Sequence, residues 1–350
     1  MPRPQEPLRP PRTWLVVGEK QGDNAQVRAV AAALGWPVEE RRVAMQAQWL
    51  RGKPRVAPSL AHLDIARSQP LEPPWPDLVI TVGRRLSMVA LWVREQSRGQ
   101  TRIVLFGKPR RFTRRFDLIV ASAQYRIARR PNVLRLDLPL MRVDEQAVAA
   151  AAGAWRERLA SLPRPLTALL VGGPTKPVRF DAPVGRALGR QVVDLVSRSG
   201  GSLYVTTSRR TPSEVTDALA AELPRDAVLY RWQPDAADNP YLALLGAADR
   251  FVATSDSVTM MLEVARLGRP LAIFGLPPAY AWIWQALSRG RDLDAIPRLL
   301  IEQNRAVRLG APFRPPVGPP PDELPRVVER IRGLFVPLGE ACEAAPASLR

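Results

Sequence analysis

The stretch FVATSDSVTMMLEVARLGRPLAIF, from Phe251 to Phe274, contains a short apolar strand, a polar turn, a helix and a second apolar strand. Within the predicted helix, apolar residues recur at i, i+3, i+4 and i+7 from Val258 to Ala265 and form one buried stripe. Asp256 or Ser255 can cap the start of this helix, and Gly268 stands where a glycine commonly ends one. The order strand, helix, strand predicts a parallel sheet covered by helices.

The polar turn Thr254–Ser257 precedes a helix whose first backbone N–H groups have no partner within the helix. Such a helix N-terminus binds phosphate readily. Glu263 lies about two turns into the helix, on a different face from the apolar stripe, where its carboxylate could reach a sugar hydroxyl. The pattern alone fits equally well with a capping Asp256 and a solvated surface acid at Glu263.

The length and composition suit a globular protein of two domains. The chain has 350 residues, of which 46% are hydrophobic, enough for packed cores. No apolar run approaches the roughly 20 residues of a membrane span, and the N-terminus has no secretory h-region. The single cysteine, Cys342, excludes an internal disulfide and fits a reducing cytoplasm. The single histidine, His62, excludes a multi-histidine metal site, and its surroundings of proline and arginine predict a surface position.

The formal net charge is +18, from 51 Lys and Arg residues against 33 Asp and Glu. An excess of this size indicates an anionic partner, such as a nucleotide, a phospholipid surface or a nucleic acid. A nucleic acid is disfavoured, because the cations are spread over loops and no nucleic-acid module or aromatic stacking motif is present. We therefore expect a cytoplasmic protein that binds a nucleotide and can associate peripherally with the inner face of the membrane.

Strands and helices alternate in both halves of the sequence, which predicts an α/β fold of two Rossmann-like domains facing each other across a cleft. The region 44–76 is rich in proline and predicts an extended loop with a short helix around 60–66. The predicted parts are a disordered arm over 1–12, a first domain over 13–143, a linking helix over 144–162, a second domain over 163–310, and a proline-rich segment with a C-terminal helix over 311–350 that packs back on the first domain.

Polar loops follow most of the predicted strands, and the loops of a parallel sheet project toward one edge. Gly172 and Gly173 would let the backbone approach a diphosphate closely, and Lys176 and Arg209 could neutralise its charge. Neither G-x-x-x-x-G-K-[ST] nor G-x-G-x-x-G occurs, so the loops are not a Walker loop and a dinucleotide enzyme is disfavoured. A glycine after a strand is in itself only a turn signal.

A second loop, GKPRRFTRRFD, carries closely spaced cations interleaved with Phe112 and Phe116. Each cation near an anionic membrane surface contributes roughly 1 kcal/mol of binding energy. We expect this loop to contact an anionic membrane or a phosphate of an acceptor substrate, although a merely solvated loop has the same composition. The residues expected to make this contact are Arg110, Arg111, Arg114 and Arg115.

Several motifs occur in one order along the chain: GDNAQ opening the first helix, VGRR after a strand, LVGGPTK with a nearby RFD, and NPYLALLGAADRFVATSDSVTMMLEVARLGRP. Over roughly Trp14 to Leu276, the sequence resembles the family of the plant elongated-mitochondria fission factor and its bacterial relatives, whose fold is similar to GT-B glycosyltransferases. Relatives often carry a histidine after the Gly-Asp of the first loop, where this sequence reads Asp23-Asn24-Ala25.

The resemblance implies that the second domain holds a nucleoside-diphosphate sugar, with the diphosphate at the helix N-terminus and the ribose on the acid of that helix. The residues expected to bind the nucleotide are Gly172, Gly173, Lys176, Ser208, Arg209, Thr254, Ser255, Asp256, Ser257 and Glu263.

The resemblance also implies transfer of the sugar to an acceptor held by the first domain. No metal or other cofactor is expected, because GT-B enzymes need none and no Asp-x-Asp motif or His/Cys set occurs. Asp23 or Glu19 could deprotonate the acceptor hydroxyl, although Asp23 fits a helix cap at least as well. The alternative function is a non-catalytic adaptor on a degenerate transferase fold that binds a membrane surface or a protein.

Overall fold

The computed structural model describes residues 9–19, 21–51, 54–175, 178–234, 236–279, 292–315 and 317–335. The chain divides into two compact units. The first unit comprises Met1–Leu140 and Asp322–Arg350, and the second unit comprises Met141–Pro321. Among the residues that the structure describes, no helix is long and apolar enough to cross a bilayer.

The first unit begins with an alternation of strands and helices. Its strands are β1 (Thr13–Val17), β2 (Val38–Arg42), β3 (Ala44–Met45), β4 (Leu63–Asp64), β5 (Leu78–Val82), β6 (Arg102–Phe106), β7 (Leu118–Ser122) and β8 (Val133–Leu136). Its helices are α1 (Gln21–Leu34), α2 (Ala47–Arg51) and α3 (Gly83–Gln96).

The second unit repeats the alternation. Its strands are β9 (Leu166–Val171), β10 (Ser202–Thr207), β11 (Val228–Tyr230), β12 (Arg250–Thr254), β13 (Leu271–Phe274) and β14 (Val307–Arg308). Its helices are α4 (Glu145–Ala154), α5 (Arg156–Ala160), α6 (Ala182–Ser199), α7 (Ser213–Ala220), α8 (Tyr241–Ala247), α9 (Val258–Arg266) and α10 (Ala295–Glu302). The last helix, α11 (Leu324–Arg332), returns to the first unit.

Each unit is built on one six-stranded parallel sheet. The strand order in the first unit is β2-β1-β5-β6-β7-β8, and a separate two-stranded sheet pairs β3 with β4. The order in the second unit is β11-β10-β9-β12-β13-β14. Counted within that unit, this is 3-2-1-4-5-6, the strand order of a Rossmann fold. The predicted α/β class with two Rossmann-like domains is confirmed.

The first sheet is covered by helices on both faces, as buried parallel sheets require. Strand β1 shows this directly, because its successive side chains enter two different hydrophobic clusters. Leu15 and Val17 pack with side chains of α1 and α11, whereas Trp14 and Val16 pack with side chains of α3. Helix α11 therefore covers part of the first unit's core, although it is far along the chain.

The second sheet has the same construction. On one face, Leu169 and Val171 of β9 pack with Val184, Leu188 and Val192 of α6. Helix α9 packs against β12 and β13 through its own buried stripe, which includes Met261 and Leu262. Val252 of β12 is fully buried, so a packed core supports the carboxyl ends of the strands in this sheet. That support fixes the loops that follow β9 and β12.

Two local expectations about helices differ from the structure. The helix predicted over 144–162 is interrupted at Trp155 into α4 and α5, and both parts belong to the second unit. The short helix predicted around 60–66 is absent from that described stretch, which contains β4 instead, and α2 lies earlier in the loop. Long-range strand pairing between β3 and β4 overrides the weak local pattern there.

His62 is 2% exposed, so the predicted surface position is wrong. Its Nε2 lies 3.0 Å from the carbonyl oxygen of Arg85, and it therefore donates to the first turn of α3. Burial lowers the pKa of His62, and the positive charge of Arg85 lowers it further. The hydrogen bond from His62 holds the main chain in the first turn of α3.

The N-terminal arm predicted over 1–12 falls partly outside the described residues. Where the chain is described, Arg12 already belongs to the first unit: its N–H donates to Asp77 Oδ2 at 2.8 Å, and its carbonyl accepts from the Asp77 N–H at 2.9 Å. Ordered structure therefore starts at least one residue before β1.

Candidate functional site

The candidate site lies at the carboxyl edge of the second sheet, where the chain order reverses between β9 and β12. In open parallel sheets, ligands bind outside the carboxyl ends of the strands at such a switch point. Strand β9 ends at Val171 and β12 ends at Thr254. The loops that follow these two strands contain most of the residues that the sequence predicted to bind a nucleotide.

Thr254 and Asp256 join the two loops through a chain of buried hydrogen bonds. The N–H of Gly172 donates to Thr254 Oγ1 at 2.9 Å, and the N–H of Gly173 donates to Asp256 Oδ2 at 2.8 Å. The Thr254 hydroxyl in turn donates to Asp256 Oδ1 at 2.7 Å. Hydrogen bonds to a carboxylate are stronger than neutral ones, so this network fixes the edge of the site.

Both glycines are required because protein atoms approach their α-carbons closely. A Cβ at Gly172 would lie 2.3 Å from Asp256 Oδ2, and one at Gly173 would lie 2.3 Å from the carbonyl oxygen of Arg210. The sequence predicted that these glycines let the backbone approach a diphosphate closely, and that remains a prediction. In the structure, the approaching groups are a carboxylate and a neighbouring loop, and both glycine amides are already hydrogen-bonded.

Arg210 is the cation that reaches this network. Its Nη2 donates to Asp256 Oδ2 at 3.3 Å, and its Nη1 donates to Thr175 Oγ1 at 2.8 Å. The Asp256 side chain is 0% exposed, whereas that of Arg210 is 46% exposed. Asp256 and Thr175 therefore hold the guanidinium in place, and part of its surface is exposed to solvent. The sequence favoured its neighbour Arg209, which is exposed.

The loop after β10 is shaped by Ser208 and Thr211. The N–H of Ser208 donates to Thr211 Oγ1 at 2.9 Å, and the N–H of Arg210 donates to Ser208 Oγ at 3.3 Å. Thr211 Oγ1 lies 2.5 Å from the carbonyl oxygen of Gly172, to which it donates. Ser208 was predicted as a ligand contact, and it positions Arg210. Thr211 was not predicted, because nothing in its local pattern distinguishes it from a turn residue.

The start of helix α9 differs from the prediction. Its N-cap residue is Ser257, which makes no side-chain capping hydrogen bond. Asp256 points to Gly173, and Ser255 Oγ accepts from the Leu276 N–H at 2.9 Å, so neither expected cap acts as one. Among the described residues, no side chain caps the first-turn amides of the helix, which suits an anion. The predicted helix end is confirmed: Gly268 has φ 62° and follows the last turn.

Burial raises the pKa of Asp256, since removal of water disfavours the charged form. The hydrogen bonds from Thr254 and Gly173 act in the opposite direction, as does the positive charge of Arg210. The carboxylate is thus tolerated inside the protein because donors surround it.

Glu263 is half-buried and accepts a hydrogen bond from the hydroxyl of Tyr241, the first residue of α8. Burial raises the pKa of Glu263, and the hydrogen bond from Tyr241 opposes that change. The pKa of Tyr241 is raised by its own burial and by the nearby carboxylate. Glu263 is therefore not the freely solvated acid that the simplest interpretation of the sequence offered. Its Oε2 atom accepts from the Tyr241 hydroxyl, and no described residue donates to its other oxygen.

The candidate bases lie in the first unit, and only one of them is described in full. Glu19 is exposed, and its Oε1 accepts from the N–H of Met45 at 3.0 Å, which ties the loop after β1 to β3. Asp23 lies in the first turn of α1, so it is not the residue that precedes the helix; its side chain falls outside the described residues. Lys176, a predicted diphosphate contact, also falls outside them.

Asn24, which was not singled out as a site residue, is 2% exposed and ties the same loop together. Its Nδ2 donates to the Gly18 carbonyl oxygen at 2.6 Å, and its Oδ1 accepts from the Gly18 N–H at 3.3 Å.

The arginine-rich loop of the first unit does not present the apolar anchors that the sequence suggested. Phe116 is 2% exposed and belongs to the hydrophobic core. The ring of Phe112 packs against that core, with the guanidinium carbons of Arg111 and Arg115 at 5.5 and 5.7 Å from its centre. Arg115 also pairs with Glu95 at 2.8 Å. Phe116 was expected as an apolar anchor of the loop, but it lies two residues before β7 and packs with side chains of that strand.

No group of three or more His, Cys, Asp or Glu side chains that could hold a metal ion occurs in the described part of the chain. Arg110, Arg111 and Arg114 remain as exposed cations of the loop after β6.

A family model described as "Mitochondrial fission ELM1" matches residues 21–292. The chain belongs to the mitochondrial fission ELM1 family. It is 27% identical over 235 residues to the mitochondrial fission protein ELM1 of Arabidopsis thaliana, which covers 61% of this chain and 54% of the plant protein. The match thus spans about half the length of that relative. An uncharacterized protein of Rickettsia prowazekii, RP120, is 21% identical over 302 residues, covering 76% of this chain and 84% of that protein.

Among solved structures, the fold is similar to that of UDP-GlcNAc 2-epimerase from Methanocaldococcus jannaschii, determined in complex with UDP-GlcNAc and UDP. The TM-score is 0.51 at 10% sequence identity, and the match covers 92% of this chain and 99% of the epimerase. At that identity the similarity concerns the fold alone. The ELM1 family therefore has the GT-B type of fold in this member, as the resemblance implied.

Proposed function

We propose that the second unit binds a nucleoside-diphosphate sugar at the carboxyl edge of β9 and β12, and that the chain transfers the sugar to an acceptor. The observation that carries the proposal is the Asp256 network. It joins the loops at the switch point of a Rossmann-ordered sheet and holds the Arg210 guanidinium at the surface. A GT-B protein solved with a nucleotide sugar adds support from the same fold.

The diphosphate would lie at the N-terminus of α9, beside Arg210. The first-turn amides of α9 have no side-chain cap, and a helix N-terminus attracts an anion by about 0.3–1 kcal/mol. Among the described residues, Arg210 uses one N–H each for Asp256 and Thr175, so other N–H groups of its planar guanidinium can donate to phosphate oxygens. Its anchoring reduces the side-chain entropy that binding would otherwise cost.

The ribose would bind to Glu263. This residue is the sixth of α9, so its α-carbon lies roughly 8 Å along the axis from the start of the helix, a distance that suits a sugar adjoining the diphosphate. Tyr241 holds one carboxylate oxygen and orients the group. The other oxygen can accept from ribose hydroxyls, a charged hydrogen bond of about 1.5–3 kcal/mol.

Calorimetric titration with UDP, ADP, GDP and their sugars tests the proposal. We expect one of these nucleotides to bind and the Arg210→Gln variant to bind it at least tenfold more weakly, since a charged contact is lost. Arg186→Gln is the matched control, because Arg186 is an exposed cation on α6 of the same unit. If no nucleotide binds, or if both variants bind like the wild type, the proposed site is wrong.

Two variants, Glu263→Gln and Tyr241→Phe, distinguish direct binding of ribose by Glu263 from the positioning of Glu263 by Tyr241. If Glu263 binds ribose, Glu263→Gln weakens nucleotide binding about ten- to hundredfold. Tyr241→Phe removes only the hydroxyl and is expected to change affinity less, because it leaves the carboxylate in place. Equal affinities for wild type and Glu263→Gln would limit Glu263 to its pairing with Tyr241.

The second candidate function is that of a non-catalytic adaptor, and the first loop favours it. Glu19 is occupied by the Met45 amide, and Asn24, which stands where relatives often have a histidine, is buried against Gly18. The relative named as a mitochondrial fission protein also suits an adaptor. Release of nucleoside diphosphate from the sugar that binds best, followed over time, distinguishes the two: turnover supports transfer, and binding without turnover supports the adaptor.

A further inference from the structure

We propose that the first unit has a separate binding site for a phosphate-bearing ligand at the carboxyl ends of β5, β6 and β7, formed by Arg84, Arg85, Lys108, Arg110 and Arg126. The ligand class is a phosphomonoester or diphosphate ester. The site does not depend on the nucleotide site proposed for the second unit, since its residues all belong to Met1–Leu140.

The topology of the sheet brings these cations together. Strands β5 and β6 are parallel neighbours with Val82 paired to Phe106, so the segments that begin at Gly83 and Gly107 leave the sheet side by side. Strand β7 is the next neighbour, and the Gly107 N–H donates to the Val120 carbonyl oxygen at 2.8 Å. This edge also borders the point between β1 and β5 where the chain order of the first sheet reverses. Ligands of open α/β sheets bind at such edges.

Hydrogen bonds to backbone carbonyl oxygens fix the side chains of two of the cations. Arg84 donates from Nη2 to the Pro54 carbonyl oxygen, and Lys108 donates from Nζ to the Arg126 carbonyl oxygen. The Nε atom of Arg84 is buried and has no hydrogen-bond partner among the described residues. The main chain of Arg85 is fixed by the buried His62. The cluster is thus built into the fold.

The charges of the cluster repel one another. The pKa of Arg84 is lowered by burial and by the charges of Arg110 and Arg85. The pKa of Lys108 is lowered by burial and by the charges of Arg110 and Arg126. A bound anion would reverse this repulsion, because an opposite charge at the same place favours the protonated forms.

The position of Arg84 and Arg85 at a helix N-terminus is also electrostatically unfavourable for their positive charges. Both residues lie in the first turn of α3, which has no acidic residue and no side-chain cap. Cations at a helix N-terminus oppose the helix dipole, whereas an anion there is stabilised by it. A phosphate at this helix start would therefore be favoured by the amides of α3 and by the cluster together.

The aromatic residues of the neighbouring loop favour a phosphate group over the apolar part of a membrane. Phe116 is in the core, and Phe112 packs between that core and two guanidinium groups. Neither ring is presented for insertion among lipid chains. The phosphate could still belong to a soluble ester or to a lipid headgroup, and the experiment distinguishes these two sources.

Pyrophosphate is the probe, and it is titrated into the Arg210→Gln protein, in which the nucleotide site of the second unit is weakened. We expect binding that weakens as sodium chloride is added, because exposed charges are screened. Introducing Arg110→Gln should weaken it about tenfold, the loss expected for one charged contact. Arg110 is exposed, so this variant tests the site even where Arg84→Gln or Lys108→Gln fails to fold.

Arg129→Gln with Arg130→Gln is the matched control, since both residues are exposed cations of the same unit. The proposal is overturned if pyrophosphate does not bind, if Arg110→Gln binds it like its parent, or if the control weakens binding as much as Arg110→Gln does. A failure of nucleotide binding in the second unit leaves these results unchanged, so the two proposals fail separately.

Binding to vesicles tests whether the phosphate group of the ligand belongs to a lipid headgroup or to a soluble ester. Co-sedimentation is compared for phosphatidic acid, which carries a phosphomonoester, and for phosphatidylglycerol at equal charge. A preference for phosphatidic acid that Arg110→Gln removes supports a lipid phosphomonoester. Pyrophosphate binding without vesicle binding supports a soluble ester. Vesicle binding that depends on charge alone and is insensitive to Arg110→Gln contradicts a phosphate site.

Discussion

Replacing Asp256 by alanine should destabilise the second unit more than any loss of surface charge. The Asp256 carboxylate accepts from the Gly173 N–H at 2.8 Å and from the Thr254 hydroxyl at 2.7 Å, and it pairs with Arg210 at 3.3 Å. The contacts with Gly173 and Arg210 connect the loop after β12 to the loops that leave β9 and β10. In Asp256→Ala the loops lose their common acceptor.

The loss in free energy of unfolding depends on the polar group that each broken contact leaves without its partner. A buried N–H without an acceptor costs about 1–3 kcal/mol, and this applies to Gly173. The Thr254 hydroxyl loses its acceptor but remains an acceptor for the Gly172 N–H, which limits its cost. Arg210 is 46% exposed, so water replaces its pairing at less than about 1 kcal/mol. Burial of the carboxylate is unfavourable and raises the pKa of Asp256. Removing the carboxylate recovers that cost, which offsets part of the lost stability. We expect a net loss of about 2–4 kcal/mol.

Scanning calorimetry and urea unfolding measure this loss. For a unit of this size, 1 kcal/mol shifts Tm by about 2–4 °C, so Asp256→Ala should lower the transition of the second unit by roughly 5–15 °C. The matched control is Asp217→Ala, which removes an exposed carboxylate paired with Arg231 in the same unit and should change the free energy of unfolding by less than about 0.5 kcal/mol. If the two variants unfold alike, the carboxylate of Asp256 does not hold the loops and the reasoning is refuted.

Gly172→Ala should lower the free energy of unfolding by about 1–3 kcal/mol, because the added Cβ would lie 2.3 Å from a buried carboxylate oxygen; Gly275→Ala, at a position with open space, should not, and urea unfolding of both variants tests this. Glu40 accepts from Nε and Nη2 of Arg28 at 2.8 and 2.9 Å, which lowers the pKa of Glu40 from 4.5 to about 2. Because its folded pKa is depressed, its stabilisation is present above pH 4.5 and is lost as the pH falls through about 2. With solvent screening, Glu40→Gln should cost about 1 kcal/mol at pH 7 and little near pH 2 in urea unfolding; a cost that persists at pH 2 contradicts this. Nucleotide binding and any transfer should survive EDTA, and loss with EDTA that magnesium or manganese restores would contradict a metal-independent site.

The regular elements of the fold could be predicted because their signals are local. The apolar runs of β9 and β10 and the stripe of α9 follow directly from residue spacing, and the observed bounds differ from the predicted ones by at most a few residues. The two-residue strands β3, β4 and β14 could not be predicted, since they exist only through pairing with distant segments. The break at Trp155 lies in an alanine-rich stretch whose propensity favours one continuous helix.

The loops of the candidate site could be predicted, but the roles of their residues could not. Asp256 precedes a helix and therefore has the local pattern of a cap, yet its partner Gly173 lies 83 residues away along the chain. Arg209 and Arg210 are adjacent and identical, and the turn formed by Ser208 and Thr211 decides which of them faces the network. Tertiary contacts of this kind leave no periodic signal in the sequence.

A buried carboxylate at a proposed phosphate site needs a physical explanation, because an anion next to an anion is repulsive. The structure supplies one, since the charge of Asp256 is directed away from solvent and toward two donors, Gly173 and Thr254. Its remaining charge is balanced by Arg210, which stands on the solvent side of the carboxylate. A phosphate approaching from solvent therefore meets the guanidinium first. Asp256 fixes the position of that cation, whereas Arg84 and Lys108 of the first unit are repelled by neighbouring cations.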